Sequence, residues 1–468
     1  MKKTLAEILS QMNEEQYRLT VGKNTDHPLQ DAFDKKRVVH PSVQGRPLSE
    51  EERQVAWQNT MHTELIKVEK RTAYIHIPFC SHLCLYCGFF QNYSNEERET
   101  LYVDCLIKEL SMSANESYLK AGLIHAVFIG GGTPSALSPY NVRRVLQAIQ
   151  MYLPLANDCE ITLEARIHDL VKEKMDAWFA GGVNRVSVGV QSFLTNLRKS
   201  MGRLDDYETV VARLKELAAY EQASIIIDLI YGLPGQTVED LLFDLQTVDS
   251  LPIDGMDLYQ LNLFDVSPLK KAIDAGNLPP AATTAEQAQM FAVANTWLKE
   301  RAYKQLSNCH WAKGIRERNM YNLLTKSGAE VFAFGSGAGG NIGAYSIFLE
   351  RNLKSYIEHI QAGKKPLMFM AKKSAKQELH NDMLKQLESG YFNLEFLAAK
   401  YGEHIRELEY LLEIWQRHGL VNKGKVLSRL TEAGQFWHIN IAQSLLECTE
   451  ALLEGRLKTQ VQAIAAQG

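Results

Sequence analysis

Between about residues 72 and 263, short runs of apolar and β-branched residues alternate with longer stretches in which apolar residues recur every three or four positions. The short runs predict strands and the longer stretches predict amphipathic helices. The expected strands lie at residues 72–77, 126–129, 160–164, 185–190, 224–231 and 255–261. The expected helices lie between them, at residues 97–121, 139–152, 171–180, 206–220 and 237–250. This alternation predicts a parallel sheet.

The number of strand–helix repeats limits the folds that are possible. Six strand–helix units predict an α/β domain built as a curved, partial (β/α)6 barrel rather than the eight-unit barrel. A doubly wound sheet is the alternative, because the sequence does not fix the curvature. Around this core, at residues 71–265, we expect an N-terminal arm (1–70), a barrel extension and linker (266–370) and a mostly helical, winged-helix-like C-terminal domain (371–468).

Composition and charge narrow the class of protein. The 468 residues carry a formal net charge of −4, which gives no reason to expect nucleic acid or an anionic membrane as partner. No run approaches the roughly 20 apolar residues that span a bilayer. The seven cysteines suggest no disulfide framework, since three share one loop and four are scattered. We therefore expect a cytoplasmic enzyme without a membrane span.

The loop after the first strand holds Cys80, Cys84 and Cys87. Three thiolates can bind three irons of a [4Fe–4S] cluster and leave the fourth iron open to a substrate or cofactor. The C-x-x-x-C-x-x-C spacing resembles that of enzymes that cleave S-adenosylmethionine (SAM) at such an iron. A zinc site is the competing hypothesis, with His76 or His82 as a further ligand, although zinc favours four closed ligands in paired spacings.

Polar residues follow the other expected strands. A glycine run, Gly-Gly-Gly-Thr-Pro-Ser at residues 130–135, exposes backbone amides, although alone it is equally consistent with a tight turn. Glu164 and Gln191 each end a strand, and Asp228 lies inside an apolar strand, where an unpaired carboxylate costs several kcal/mol. Asp228 should therefore meet a ligand hydroxyl or an arginine. Arg203 is a candidate carboxylate clamp.

Four segments together resemble the HemN family of radical SAM proteins. They are Tyr-Ile-His-Ile-Pro-Phe-Cys at 74–80, the glycine run, Gly-Val-Asn-Arg-Val-Ser-Val-Gly-Val-Gln-Ser-Phe at 182–193, and Asp-Leu-Ile-Tyr-Gly-Leu-Pro-Gly-Gln-Thr at 228–237. The family includes coproporphyrinogen III dehydrogenases, the heme chaperone HemW and anaerobic heme-degrading enzymes of the HutW/ChuW type. The resemblance implies a [4Fe–4S] cluster on Cys80, Cys84 and Cys87 and two SAM molecules.

The resemblance also implies ligands, position by position. The SAM on the cluster would contact Tyr74, Gly131 and Glu164. The second SAM would contact Tyr86, Gly132, Thr133, Gln191, Arg203 and Asp228.

Two departures favour the heme-degrading branch. The dehydrogenases have a fourth cysteine two residues beyond the third, and here that position is Phe89. The arm at residues 28–48 is absent from short heme chaperones and resembles the heme-degrading branch. The implied activity is anaerobic ring opening of heme, with release of iron and with electrons from a flavodoxin-like donor. The alternatives are heme transfer and coproporphyrinogen oxidation.

A heme substrate would require basic groups for its propionates and could use a histidine at the iron. The sequence offers candidates for both roles, without a pattern that selects among them: Arg37, Arg46 and Arg316 for the propionates, and His27 and His40 for the iron.

Overall fold

The computed structural model describes residues 3–38, 40–41, 45–65 and 69–454. Seven parallel strands form its centre: β1 (Arg71–Ile77), β2 (Ile124–Gly131), β3 (Leu155–Arg166), β4 (Arg185–Gln191), β5 (Ser224–Tyr231), β6 (Gly255–Gln260) and β7 (Glu330–Phe334). Their order across the sheet is β7-β1-β2-β3-β4-β5-β6. The six expected strands are confirmed. The seventh was not predicted, because it is short and follows β6 only after a long connection.

The strand order decides between the two proposed architectures. From β1 to β6 each strand pairs in parallel with the next one along the chain. A doubly wound sheet would reverse direction at a switch point, and this sheet does not. The chain therefore forms the predicted partial barrel. The sheet remains open, with antiparallel strands at both edges.

Helices connect the parallel strands. They are Glu96–Ser113, Ser117–Lys120, Pro139–Tyr152, Lys172–Ala180, Thr195–Ser200, Tyr207–Ala218 and Val238–Ser250, with 3-10 turns at Pro134–Ala136 and Ile167–Asp169. The helix expected at 97–121 is divided at residues 114–116. N-cap side chains fix several starts: Asn95, Ser138, Asp206 and Thr237 each accept a hydrogen bond from a backbone N–H in the first turn.

Further elements extend the sheet on both sides. Beyond β7 lie strands Gly339–Ile342, Tyr345–Leu349, Leu367–Lys372 and Arg46–Pro47, and beyond β6 lie His310–Ala312 and Lys304–Gln305. A separate short pair joins Phe79–Cys80 to Asn92–Tyr93. Helices Pro268–Asp274, Thr284–Glu300, Met320–Lys326 and Leu353–Gln361 accompany these strands.

The two faces of the parallel sheet differ in chemistry. One face of β4 carries Val186, Val188 and Val190, all fully buried, and the other strands present similar apolar residues to the helices. The opposite, concave face carries charged and aromatic side chains, Glu164 on β3 and Asp228 on β5 among them. Because side chains alternate along a strand, Glu164 and Asp228 face the side of the sheet opposite to the one that packs on the helices.

The C-terminal region is helical, as expected. It contains helices Gln377–Glu388, Leu394–Tyr401, Glu409–Arg417, Glu432–Phe436 and His438–Glu454, and a 3-10 segment Glu403–Leu408. A small antiparallel sheet of Tyr391–Phe392, Val421–Asn422 and Ser428–Leu430 accompanies them. The antiparallel pair directly after Glu409–Arg417 is the arrangement expected of a winged-helix-like turn. Residues 455–468 of the expected domain lie outside the described residues.

The N-terminal arm packs on this C-terminal region. Its helices are Leu5–Ser10, Glu14–Val21, Pro28–Asp31 and Glu50–Met61. The indole N–H of Trp437 donates to the carbonyls of Pro28 and Leu29, at 3.1 and 3.0 Å. Residues 39 and 42–44 of the arm lie outside the described residues. The boundaries at 70, 265 and 370 stay predictions, although β7, within 266–370, joins the central sheet. Among the described residues, no helix has the length and apolarity to span a membrane.

Candidate active site

The cysteine loop lies at the carboxyl end of β1. Cys80 and Cys84 are buried, with 1% and 2% of their surfaces exposed, and Cys87 is half-buried. Backbone hydrogen bonds fix the loop: Leu85 N–H donates to the Met201 carbonyl at 3.2 Å, and Cys87 N–H donates to the Cys84 carbonyl at 3.1 Å. The parallel strands bring the carboxyl ends of β2 to β5 to the same edge.

Neighbouring groups prepare these thiols to bind metal. Burial raises the pKa of Cys80 and of Cys87, while the nearby guanidinium of Arg166 lowers both pKa values. The Thr133 hydroxyl donates to Cys80 Sγ at 3.3 Å, and the Phe89 N–H donates to Cys87 Sγ at 3.3 Å. Arg166 also donates to the His82 carbonyl at 2.8 Å. The loop thus combines three thiols with donors that stabilise thiolates, as an iron–sulfur cluster requires.

The two histidines of the zinc hypothesis are engaged elsewhere. His76 Nδ1 pairs with the Tyr74 hydroxyl at 3.2 Å, and His76 Nε2 pairs with the Gln91 amide at 3.3 Å. Burial lowers the pKa of His76 to about 4. His82 is exposed and pairs with the Ser81 hydroxyl at 3.1 Å. The donor set therefore favours a cluster.

The glycine run packs directly against the loop. A Cβ on Gly132 would lie 2.6 Å from the Phe79 carbonyl oxygen, and one on Gly131 would lie 2.7 Å from the His76 ring. Gly131 also has a φ of 113°, which strongly favours glycine. The Gly132 N–H already donates to the Ile77 carbonyl at 2.8 Å. Close packing thus explains why both positions are glycine. Because the Gly131 and Gly132 N–H groups already donate to Glu164 and Ile77, the carbonyl groups remain available to a ligand.

Glu164 lies on the concave face next to this run. Its Oε2 accepts a hydrogen bond from the Gly131 N–H at 3.1 Å. Arg166, two residues along the chain, donates instead to the His82 carbonyl. Burial, with the negative charge of Asp228, raises the pKa of Glu164 to about 8. A buried carboxyl of this kind is suited to a cationic or hydroxyl-bearing ligand.

Asp228 lies on β5, opposite Gly189 of β4 and Asp257 of β6. The Ser187 hydroxyl donates to it at 3.3 Å. Burial and the charge of Asp257 raise the pKa of Asp228 to about 7. No arginine forms an ion pair with Asp228 within the described part of the chain. From the sequence we expected either an arginine or a ligand hydroxyl as the partner of Asp228. The structure therefore favours the ligand hydroxyl.

Gln191 has an unusual backbone. Its φ is 72°, and a register shift between Gly189 and Gln191 interrupts the pairing of β4 with β5. Its Oε1 is buried without a hydrogen-bond partner among the described residues. Such strain and an unsatisfied buried acceptor are typical of ligand sites. Tyr86 and Arg203 adjoin it, with Arg203 Nη1 donating to the Gly189 carbonyl at 3.1 Å.

A buried charge network beneath these groups was missed from the sequence. His310 pairs with Asp257 through Nδ1 at 2.9 Å and with Glu317 through Nε2 at 3.1 Å. Arg185 Nε donates to Glu317 at 3.1 Å. Burial opposes the charge of His310, yet the two carboxylates raise its pKa to about 9. In the sequence, the only sign of this network was Asp257, a charged residue at an inward-facing position of β6. His310 and Glu317, which complete the network with it, lie more than 50 positions further along the chain.

An aromatic group forms another wall of the interior. The Phe128 and Tyr321 rings lie 4.9 Å apart, and Tyr74 lies 6.2 Å from Phe128. Tyr74, a sequence-predicted ligand, therefore faces the same space as Glu164, whose charge contributes to raising the Tyr74 pKa. Tyr321 was not singled out from the sequence.

The basic residues suggested for a heme lie away from this interior. Arg37 forms a buried ion pair with Glu447, with both carboxylate oxygens at 2.8 Å. Arg46 is exposed at the sheet edge, 3.4 Å from Glu52. Arg316 donates to the Ala223 carbonyl at 2.9 Å, before the start of β5. Arg37 is thus engaged by Glu447, and Arg46 and Arg316 lie outside the interior, so the structure adds no support to the three suggestions for propionate ligands, which stay predictions.

The two histidines suggested for the iron lie on the arm. His27 precedes helix Pro28–Asp31 and retains an exposed surface. The pKa of His40 is lowered by burial and then by the charge of Lys326. Both stay predictions.

Comparison with known proteins agrees with this geometry. Residues 74–248 match the model of the radical SAM superfamily. Anaerobilin synthase from Escherichia coli O157:H7 is 38% identical over 427 residues, which cover 91% of this chain and 94% of that protein. Heme chaperone HemW from Bacillus subtilis (strain 168) is 28% identical over 373 residues, 78% of this chain and 96% of that protein. The solved coproporphyrinogen III oxidase HemN from Escherichia coli shares the fold, with a TM-score of 0.73 and 21% identity over 85% of this chain and 93% of that one.

The cysteine loop on a partial parallel barrel and the superfamily match define a radical SAM enzyme. Within that class, the chain belongs to the HemN-like family that contains anaerobilin synthase. The expected cofactors, a [4Fe–4S] cluster and SAM, are those of this class. The resemblance to the heme-degrading branch is likewise confirmed.

Proposed function

We propose that this chain degrades heme without oxygen, opening the porphyrin ring to a linear tetrapyrrole and releasing its iron. The observation that carries the proposal is the 38% identity with anaerobilin synthase over 94% of that protein's length. The interior of the barrel supports it, because aromatic and charged side chains line one enclosed space beside the cysteine loop. Phe89 supports it further, since it stands where dehydrogenases have a fourth cysteine.

Cys80, Cys84 and Cys87 would hold the cluster, and two SAM molecules would lie beside it. When bound, these cofactors supply a 5′-deoxyadenosyl radical and the carbon that is added to a meso position of the substrate. Tyr74, Gly131 and Glu164 would hold the first SAM. Tyr86, Gly132, Thr133, Gln191, Arg203 and Asp228 would hold the second.

Electrostatics supports this division of the ligands. Glu164 and Asp228 carry raised pKa values because burial and a neighbouring carboxylate outweigh the effect of the nearby guanidinium groups. A sulfonium or ammonium group at Glu164 would restore its ionised form. Gln191 offers an unsatisfied acceptor to the second molecule. Arg203, the neighbouring cation, would bind its carboxylate. Such groups orient the reacting atoms and exclude water.

We also propose a flavodoxin-like electron donor and a cytoplasmic location, where a low-potential cluster is protected from oxygen. Phe89 and Tyr93 lie beside Cys87 with 64% and 59% of their surfaces exposed. Exposed aromatic residues of this kind suit a transient protein contact next to the cluster loop.

Anaerobic incubation of the reconstituted protein with SAM, a reductant and heme tests the function. Loss of the Soret band together with a methylated open tetrapyrrole would support degradation. Heme that stays intact and passes to an acceptor protein would point to a chaperone, as HemW is named. A vinyl product from coproporphyrinogen would point to the dehydrogenase reaction. Either of the last two results, without ring opening, would overturn the proposal.

A further inference from the structure

The concave face of the sheet encloses a chamber. Tyr259 lies on β6, inside the sheet and surrounded by protein, yet 42% of its surface is accessible. Glu164, Asp228 and Cys309 are likewise enclosed and still partly accessible. Side chains that are surrounded but accessible line an internal space. The carboxyls of Glu164 and Asp228 occupy one end of this space, beside the cysteine loop.

Lys36 reaches the chamber from the N-terminal arm, near Cys309. Its ammonium is enclosed and lies 5.6 Å from the centre of the Phe436 ring. It forms no hydrogen bond or ion pair with any described residue. Burial lowers the pKa of Lys36 to about 8, and the nearby Cys309 thiol, itself a chamber residue, opposes that effect. An enclosed ammonium without a counter-ion is costly, so its position calls for an anionic partner.

The surroundings of Lys36 do not supply that partner. Glu388, which like Lys36 lies near His438, is already paired with Lys326 at 2.5 Å. His438 donates through Nδ1 to the Gln435 carbonyl at 3.0 Å, and burial lowers its pKa to about 4, so it stays neutral. The two lysines and one glutamate leave this end of the chamber with a net positive charge.

We propose that Lys36 binds a carboxylate group of the tetrapyrrole substrate at the arm end of the chamber. The inference rests on the proposed function and specifies how its substrate is held. An ammonium and a propionate form a charge-assisted hydrogen bond, strongest where water is excluded. This contact orients the macrocycle, with its propionate edge toward the arm and the opposite edge toward the cysteine loop.

The test is a heme titration without reductant, so that binding is measured apart from turnover. Lys36→Met keeps the length of the side chain and removes its charge. It should weaken heme binding about ten-fold or more. Lys35→Met makes the same change of charge at the adjacent, exposed position and should bind heme as the unaltered chain does. Lys36→Arg should retain most of the affinity. Thermal unfolding of each variant checks that the fold is intact.

Heme dimethyl ester separates a carboxylate contact from general packing. The unaltered chain should bind the ester more weakly than heme, while Lys36→Met should bind the two with similar affinity. Unchanged heme affinity in Lys36→Met, or an equal loss for heme and ester, would overturn the inference and leave the proposed function standing if heme is still opened. A chain that neither binds nor opens heme would overturn both.

Discussion

Arg203 donates two hydrogen bonds to the hydroxyl oxygen of Tyr86, through Nη2 at 2.6 Å and through Nε at 2.9 Å. Tyr86 stands between Cys84 and Cys87, so this contact joins the cysteine loop to the segment after helix Thr195–Ser200. The guanidinium carbon also lies 5.8 Å from the centre of the Tyr86 ring. This contact therefore connects the cysteine loop directly to the proposed site of the second SAM.

Tyr86→Phe should reduce binding of the second SAM, because Arg203 loses the acceptor that orients its guanidinium. We expect equilibrium dialysis of the reconstituted protein to show a stoichiometry that falls from two SAM toward one. Reductive cleavage of the first SAM should persist. Tyr140→Phe is the control, since that ring is 65% exposed on helix Pro139–Tyr152. Two SAM bound with unchanged affinity by Tyr86→Phe would refute the role of this pair.

Cys84→Ala should abolish reductive SAM cleavage, because two thiolates do not hold the cluster with one open iron. The measurement is 5′-deoxyadenosine formation with a chemical reductant, together with iron and sulfide content. Cys105→Ala serves as control: it removes another buried thiol, on helix Glu96–Ser113, away from the loop. Equal cleavage by both variants would contradict the cluster assignment.

Gln191→Ala should lower activity at least ten-fold without lowering stability. Its buried Oε1 has no partner among the described residues, so removing the amide costs the folded state no hydrogen bond there. Denaturant unfolding and the rate of tetrapyrrole formation, measured on the same preparation, check the two halves of this prediction. A marked loss of stability would indicate a structural role for the amide instead.

The sequence predicted those features that depend on local pattern. The apolar runs of β1 to β6 located the strands, and the convergence of parallel strand ends placed Glu164, Gln191 and Asp228 at one site. The structure then added what local pattern does not contain. Strand β7 has five residues, too few for a clear period, and pairs with β1 across more than 250 residues.

Contacts between residues that are distant along the chain also explain which features the sequence did not reveal. His310 and Glu317 belong to a short edge strand and a connection, and only the folded sheet brings them to Asp257. Arg37 was assigned to a propionate because its charge was visible in the sequence, whereas its carboxylate partner lies 410 positions away. Lys36, its neighbour, showed no signal beyond charge.

Glu164 should make the cofactor-free protein less stable as the pH rises. Its folded-state pKa is raised from 4.5 to about 8, so between these values the folded state binds more protons than the unfolded state. The free energy of unfolding should fall over this range by about 2–4 kcal/mol, after allowance for solvent in the chamber.

Glu164→Gln should remove this dependence and be the more stable form near pH 8. Urea unfolding at several pH values measures it, with exposed Glu173→Gln as the control. Parallel pH profiles for Glu164→Gln and the unaltered chain would show that this carboxyl is not the cause.

Arg37→Ala should destabilise the protein by about 3–5 kcal/mol, because it leaves the Glu447 carboxylate buried without its guanidinium. The same guanidinium donates to the Ser444 hydroxyl at 3.0 Å and to the Leu19 carbonyl at 3.2 Å, so the arm loses its side-chain contacts with Ser444 and Glu447 and keeps its backbone contacts with Asn440. Arg37→Met combined with Glu447→Leu should recover most of the stability, since it removes both charges. Denaturant unfolding of the two variants and of the unaltered chain measures these differences. If Arg37→Ala kept full stability but lost heme affinity, Arg37 would be a substrate ligand after all, and the arm would be held by other contacts.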